Sequence, residues 1–269
     1  MGESRRRFAL VLVAVAAFAA AFLYPSNPAT QGAQAYARSV ATASGGVYVT
    51  LRSLNAVLST AQEIEVGGSF VVQGTAQPLK VLEPIDDTVE RIAGVVFSVM
   101  VATGLISVAM GPASAVGFAM VGVAALLRLG AGMTGGAGGS LVRPLGVYGL
   151  FLAAALPLSF LVAALLADRM TAGVWAEHSA VLAEITASVA PEIDTAGSGG
   201  WRAVMEDAER YGTLASNLYG RADDLVASLV AILAVFLFKV LVLPLLILGG
   251  FLVLSRSLAL PPGRFTPMR

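Results

Sequence analysis

The sequence predicts an all-α integral membrane protein with four transmembrane helices, the second broken at Gly111-Pro112. A small, mainly helical extracytoplasmic domain with one β-hairpin completes the architecture. Three observations carry this. Of the 269 residues, 57% are hydrophobic and 13% charged, against about 45–50% and 25% in ordinary soluble domains. The apolar residues are gathered into four long stretches, the pattern of chains that cross a bilayer. Arginines concentrate in the short connections on one side of those stretches, as the positive-inside rule requires.

Residues 1–24 are the cytoplasmic N-terminus and first span. Phe8–Tyr24 carries 17 residues without a charge, a short crossing at about 1.5 Å per residue against a hydrocarbon core of about 30 Å. Ser4-Arg5-Arg6-Arg7-Phe8-Ala9-Leu10 resembles a twin-arginine export signal, and Ala33-Gln34-Ala35 a signal-peptidase site. The preferred reading is an uncleaved signal anchor; cleavage after Ala35 is the other.

Residues 25–91 form the first extracytoplasmic segment. Its start, 25–35, is rich in Pro, Ala, Gln and Gly and reads as a linker. Val47, Leu51, Leu54, Leu58 and Ala61 then step four, three, four and three, which places them on one helical face. Ile64 and Val66 alternate with Glu63 and Glu65, Gly67-Gly68 follows, and Phe70-Val71-Val72 closes a predicted β-hairpin. Asp87, with Glu90 three residues later, reads as the N-cap and capping box of the next helix. That cap accounts for the spacing better than a metal or proton site at Asp86, Asp87 and Glu90.

Residues 92–127 are the second span. Its 36 uncharged residues would reach about 54 Å as one straight helix, so a break belongs at Gly111-Pro112. A hairpin turning there would instead give five crossings. Charge distribution selects four. The cytoplasmic pieces 1–7, 128–144 and 255–269 then hold eight arginines and one acid, while 25–91 and 168–224 hold eight basic residues and 16 acids. Within this span Ser107, Gly111, Ala115 and Ala119 recur every fourth residue, the spacing that lets helix backbones approach closely, within one bundle or by self-association. Ala163 and Ala167 do the same in the third span.

Residues 128–144 are a cytoplasmic Gly-rich loop. Gly130-Ala131-Gly132-Met133-Thr134-Gly135 spells a dinucleotide fingerprint, but no strand precedes it and no acid follows for a ribose. Residues 145–167 are the third span. Residues 168–224 read as an acidic helical hairpin, with ten acids and four arginines. Its second arm runs as a heptad seam (Trp201, Val204, Ala208, Tyr211, Ala215, Leu218, Ala222, Leu225, Leu229) into the fourth span, residues 225–254. Residues 255–269 are a cytoplasmic tail.

Lys239 is the most informative residue for function. It lies ten residues into the 26-residue apolar stretch Leu229–Leu254, where a charged lysine costs about 2.5–3.5 kcal/mol on insertion scales. No acid lies in another span, so its partner is expected to be a backbone carbonyl such as Pro244 releases, a lipid headgroup, or another protein. Composition excludes much else. The chain has no cysteine and one histidine, and 17 basic groups balance 17 acids. Disulfides, thiolate and histidine-rich metal sites and nucleic-acid binding by an overall basic field are thereby excluded. His178 beside Glu177 reads as an exposed helical pair. No nucleophile–base pair and no cofactor motif is present, so no enzyme is expected.

The sequence therefore predicts a non-enzymatic protein of a bacterial inner (plasma) membrane, multi-pass, with both termini cytoplasmic. It anchors, scaffolds or regulates a partner through its extracytoplasmic domain. Its partners are the lipid bilayer and another membrane or periplasmic protein, or a second copy of itself. The alternative is a small-solute channel or transporter with Lys239 in the pathway. Arginine in place of lysine at 15 of 17 basic positions, with abundant Ala and Gly, is the compositional basis for a bacterial source.

Overall fold

The computed structural model describes residues 2–68, 83–131, 139–189 and 219–259, and among these every regular element is a helix. In chain order they are α1 (Gly2–Phe22), α2 (Pro28–Gly68), α3 (Glu83–Ala131), α4 (Gly139–Leu150), α5 (Leu156–Val189), α6 (Ala222–Leu237) and α7 (Leu243–Ala259). A 3-10 turn at Tyr24–Ser26 follows α1, and π-helical turns at Phe151–Ala155 and Phe238–Val242 join α4 to α5 and α6 to α7. Three helical stretches, Glu83–Ala131, Gly139–Ala187 and Ala222–Ser257, are long and apolar enough to cross a membrane. α1 falls short, because only 15 of its residues follow Arg7 without a charge.

Four sequence expectations are corrected. The β-hairpin is not formed: Ile64 and Val66 lie in α2, and Phe70–Val72 lies outside the described residues. Extending a helix that already runs from Pro28 adds one hydrogen bond per residue fixed, whereas a hairpin needs a new nucleus and a surface to pack on. The linker at 25–35 is helical from Pro28. Asn27 Oδ1 accepts the Ala29 N–H at 3.0 Å and proline opens the first turn, which is the N-cap and N1 chemistry that starts helices. The second span is not broken at Gly111-Pro112, because α3 is continuous for 49 residues with Pro112 inside it. Proline removes one donor, but ending a helix in apolar surroundings strands several backbone groups at several kcal/mol each. Asp87 is not the N-cap. α3 begins at Glu83 with Pro84 next, leaving Asp87 in its second turn and Glu90 beyond it. The first-turn carboxylates Glu83 and Asp86 still suit the positive end of the helix dipole.

The chain divides into two compact units. One comprises Met1–Val40, Ala102–Asp168 and Lys239–Arg269. Here glycines bring backbones together. A Cβ on Gly117 would stand 2.4 Å from the Ala153 nitrogen and 2.7 Å from the Gly149 oxygen. A Cβ on Gly149 would meet the Gly117 oxygen at 2.8 Å. Gly122 faces the ring of Phe18, and Gly111 faces the ring of Tyr24. The crossing of α3 with the α4 region is thus a small-residue contact of the kind that drives association where solvent is as apolar as the side chains. Ser114, fully buried, donates to the Ala153 carbonyl at 3.1 Å and accepts from Thr30 at 3.3 Å. Ala153 lies in the π turn Phe151–Ala155, just before Pro157, which has no backbone N–H to donate. Ser114→Ala should therefore cost about 1–3 kcal/mol, the penalty of stranded buried polar groups. Ser98→Ala, which removes an exposed bond to the helix's own Gly94 carbonyl, should cost almost nothing. Thermal unfolding of the purified variants checks the difference.

The other unit comprises Ala41–Val101 and Arg169–Phe238. Its interior is aliphatic: Leu51, Leu54 and Leu58 from α2, Val89 and Val96 from α3, Ile185 from α5, and Leu225, Leu229 and Ile232 from α6 are all at most 2% exposed. Leu51, Leu54 and Leu58 are the face the sequence spacing selects. Leu225 and Leu229 are the last two positions of the heptad seam, whose positions 201–218 lie outside the described residues. Trp175 meets Phe236 edge-on at 5.4 Å between ring centres, and Tyr48 meets Phe97 at 5.3 Å.

Candidate functional site

A single proline in the α6–α7 helix builds the most unusual polar cluster. Pro244 is the second residue of α7 and is buried. It cannot donate a backbone hydrogen bond, and the helix widens into the π turn Phe238–Val242 immediately before it. In the i→i+5 register of that turn, the partner of the Lys239 carbonyl would be residue 244. The carbonyl instead accepts the Tyr36 hydroxyl of α2 at 3.1 Å. Tyr36 is 9% exposed. Lys239 and Pro244 therefore act together, and the released carbonyl that the sequence suggests as a lysine partner belongs to Lys239's own backbone and is taken by a tyrosine.

The ammonium has a different partner. Lys239 Nζ lies 2.8 Å from Asp168 Oδ1. The lysine side chain is 19% exposed and the aspartate side chain 71%. No acid lies within another span, as the sequence shows, but the expectation that the partner is therefore a carbonyl, a lipid headgroup or another protein is corrected. Asp168 is the first residue beyond the predicted third span, and a lysine side chain reaches along the helix far enough to find it. With the aspartate side chain this exposed, the contact is a rim pair more than a buried ion pair, and its Coulomb attraction is correspondingly screened.

The other sequence-selected residues do not join this cluster. Ser107 is buried and bonds the Gly104 carbonyl of its own helix at 2.9 Å. Gly111 meets Tyr24, while Ala115 and Ala119 are half-buried. The closest backbone approach uses Gly117 and Gly149, which the every-fourth-residue stripe misses. The signal was a glycine in each of two adjacent apolar stretches, and the sequence gives no reason to pair them. Ala163 and Ala167 are fully buried, as their spacing predicts. Asp87 and Glu90 are exposed on α3. Tyr48 bonds the Arg52 Nε at 3.1 Å, and this bond, with the nearby Glu90 carboxylate, raises an already high Arg52 pKa.

His178 is not an exposed pair with Glu177. Its Nδ1 lies 3.1 Å from Ser228 Oγ, bridging α5 and α6. A serine beside a histidine is the grammar of nucleophilic catalysis. Ser228 is only 2% exposed, however, so the contact lies in the packed interior between α5 and α6 and not in an open cleft. Nearby, Arg221 reaches Glu184 at 3.0 Å.

The chain matches no protein-family model, no curated protein and no solved structure.

Proposed function

We propose that this is a non-enzymatic bacterial inner-membrane protein whose Ala41–Val101 and Arg169–Phe238 unit stands outside the bilayer and docks a partner there, while the other unit sits in the lipid. One observation carries the reading: the two units differ in what they expose. Of the 34 large apolar side chains exposed among the described residues, 26 belong to the unit formed by Met1–Val40, Ala102–Asp168 and Lys239–Arg269, and eight to the other. The second unit instead exposes Glu83, Asp87, Glu90, Glu177, Glu184, Asp223 and Asp224. A surface of leucine and valine suits lipid; a surface of carboxylates over an aliphatic interior suits water and a basic partner.

In this reading the second apolar stretch is shared between the two units. Residues 92–101 belong to the outer unit, where Ile92, Ala93, Val96 and Val99 are buried. The remainder, 102–127, has 26 residues and spans about 39 Å, enough for one tilted crossing. The same shift brings Lys239 from the predicted middle of the fourth span to its outer edge, beside Asp168. In this reading there are four crossings with both termini cytoplasmic, and the bend lies in the first of them. α1, the turn at Tyr24–Ser26 and the start of α2 together make that crossing, consistent with the Thr30–Ser114 bond midway along 102–127.

The test is photo-crosslinking in intact membranes from Asp87, Glu177 and Asp224 of the outer unit, followed by mass spectrometry. A partner captured in stoichiometric amount, and lost when the exposed carboxylates are changed to amides, is the expected result. Crosslinks only between copies of this chain would refute docking of a foreign partner.

A further inference from the structure

We infer that the arginine-lined cavity between α1, the end of α3 and the start of α4 binds the phosphate group of an anionic glycerophospholipid. The cavity measures about 240 Å3 and is lined by Glu3, Arg6, Arg7 and Leu10 from α1, Leu129, Ala131 and Arg128 from α3, and Gly139 at the start of α4. With each liquid water occupying about 30 Å3, it has room for a phosphate and part of its hydration shell.

Three independent features point to this ligand. The first is charge. Arg6, Arg7 and Arg128 face one acid, Glu3, which is 88% exposed and stands 3.8 Å from Arg7. The balance among the lining residues is three positive groups against one negative, a net of two positive charges, which exceeds the single negative charge of a phosphodiester. Planar guanidinium groups match phosphate oxygens in bidentate geometry. The second is the start of α4. The 12-residue helix is described from Gly139, in the wall of the same cavity, so the positive end of its dipole lies on the cavity side. The third is depth. Arg6 and Arg7 directly precede the apolar run of α1, and Arg128 directly follows Leu127 at the end of the α3 run. The charges therefore mark the level of lipid headgroups, and Leu10 and Leu129 begin the apolar wall where acyl chains would continue.

Arginines that only orient a span need no partner in space, since topology follows their number near the span ends. Here residues more than 120 positions apart in the chain converge on one concave surface. Basic pockets between membrane helices are the form that anionic-headgroup sites take.

The experiment is native mass spectrometry of the delipidated full-length protein in detergent, titrated separately with phosphatidylglycerol, phosphatidylcholine and glycerol 1-phosphate. Saturable binding of phosphatidylglycerol, in preference to phosphatidylcholine, is expected. The triple variant Arg6→Gln/Arg7→Gln/Arg128→Gln should weaken it by roughly a hundredfold, compounding the contribution of each interfacial cation. Arg256→Gln, which lies outside the cavity, should leave it unchanged. All three arginines are exposed, so the triple variant should fold, and the matching triple lysine variant, which keeps the charge but not the bidentate fork, should recover only part of the affinity. Glycerol 1-phosphate binding as tightly as phosphatidylglycerol would move the source of the phosphate from lipid to solute and overturn the lipid assignment. Equal binding of phosphatidylcholine, or an unchanged affinity in the triple variant, would overturn the site itself.

Discussion

Gly117→Leu is expected to abolish the packed state of the unit formed by Met1–Val40, Ala102–Asp168 and Lys239–Arg269, with a loss of about 3 kcal/mol. Even a methyl at this position would stand 2.4 Å from the Ala153 nitrogen, 2.7 Å from the Gly149 oxygen and 2.8 Å from the Leu152 carbonyl carbon. These atoms are backbone, so no rotamer change can make room. The helices must separate, which also pulls Ser114 away from the Ala153 carbonyl. In lipid the separated helices gain no water to satisfy what they lose, so the packing contacts and this hydrogen bond are lost without replacement. Gly104→Ala on the same helix is the control, because nothing lies within 4 Å of its added Cβ. It should be neutral or slightly stabilising, since alanine exceeds glycine in helix interiors by about 0.5–1 kcal/mol. Thermal unfolding in detergent and the amount of protein recovered from membranes would check both. A Gly117→Leu protein with wild-type melting behaviour would show that α3 and the α4 region do not cross at this point.

The second large effect is an asymmetry at Lys239 and Asp168. Removing the carboxylate leaves an ammonium whose side chain is only 19% exposed; removing the ammonium leaves a carboxylate that is 71% exposed and hydrated. Asp168→Ala should therefore destabilise by about 1–3 kcal/mol, the range for a charged group deprived of its partner. Lys239→Leu should cost less than about 1 kcal/mol, and the double variant should sit nearer to Lys239→Leu than to Asp168→Ala. A double-mutant cycle by thermal unfolding reads this directly. The reverse order would mean that the lysine is held by something other than Asp168. The same variant separates the two functional readings. With Lys239→Leu folded and at normal levels, an unchanged solute flux in reconstituted vesicles fits the docking protein, whereas wild-type flux lost in the variant would place Lys239 on a transport path.

The π turns deserve the same reasoning because both precede a proline by one residue beyond the turn: Phe151–Ala155 before Pro157 and Phe238–Val242 before Pro244. In each case a hydroxyl from another helix, Ser114 or Tyr36, meets a carbonyl of the widened turn. Widening a turn and adding a hydroxyl is how a membrane helix accommodates proline without ending. The prolines are plain in the sequence. Which hydroxyl answers them is not, since Ser114 and Ala153 are 39 positions apart and Tyr36 and Lys239 are 203.

Local pattern by itself determined the helical character of the chain, the three stretches able to span a membrane, and the buried face of Leu51, Leu54 and Leu58. These follow from apolar length and from a 3.6-residue period, both of which are properties of neighbouring residues. It also misled where two local rules competed: Ile64 and Val66 alternate like a strand but extend an existing helix, and Pro112 resembles a break but costs less inside α3 than a helix end would. Tertiary structure decided the rest. It joined Gly117 to Gly149, gave Lys239 an aspartate, assigned residues 92–101 to a different unit from 102–127, and drew Arg6, Arg7 and Arg128 around one cavity. Each of these depends on which helix lies beside which. In an apolar chain many faces are equally hydrophobic, so the choice of neighbour rests on shape and on a few polar contacts whose partners are distant in sequence.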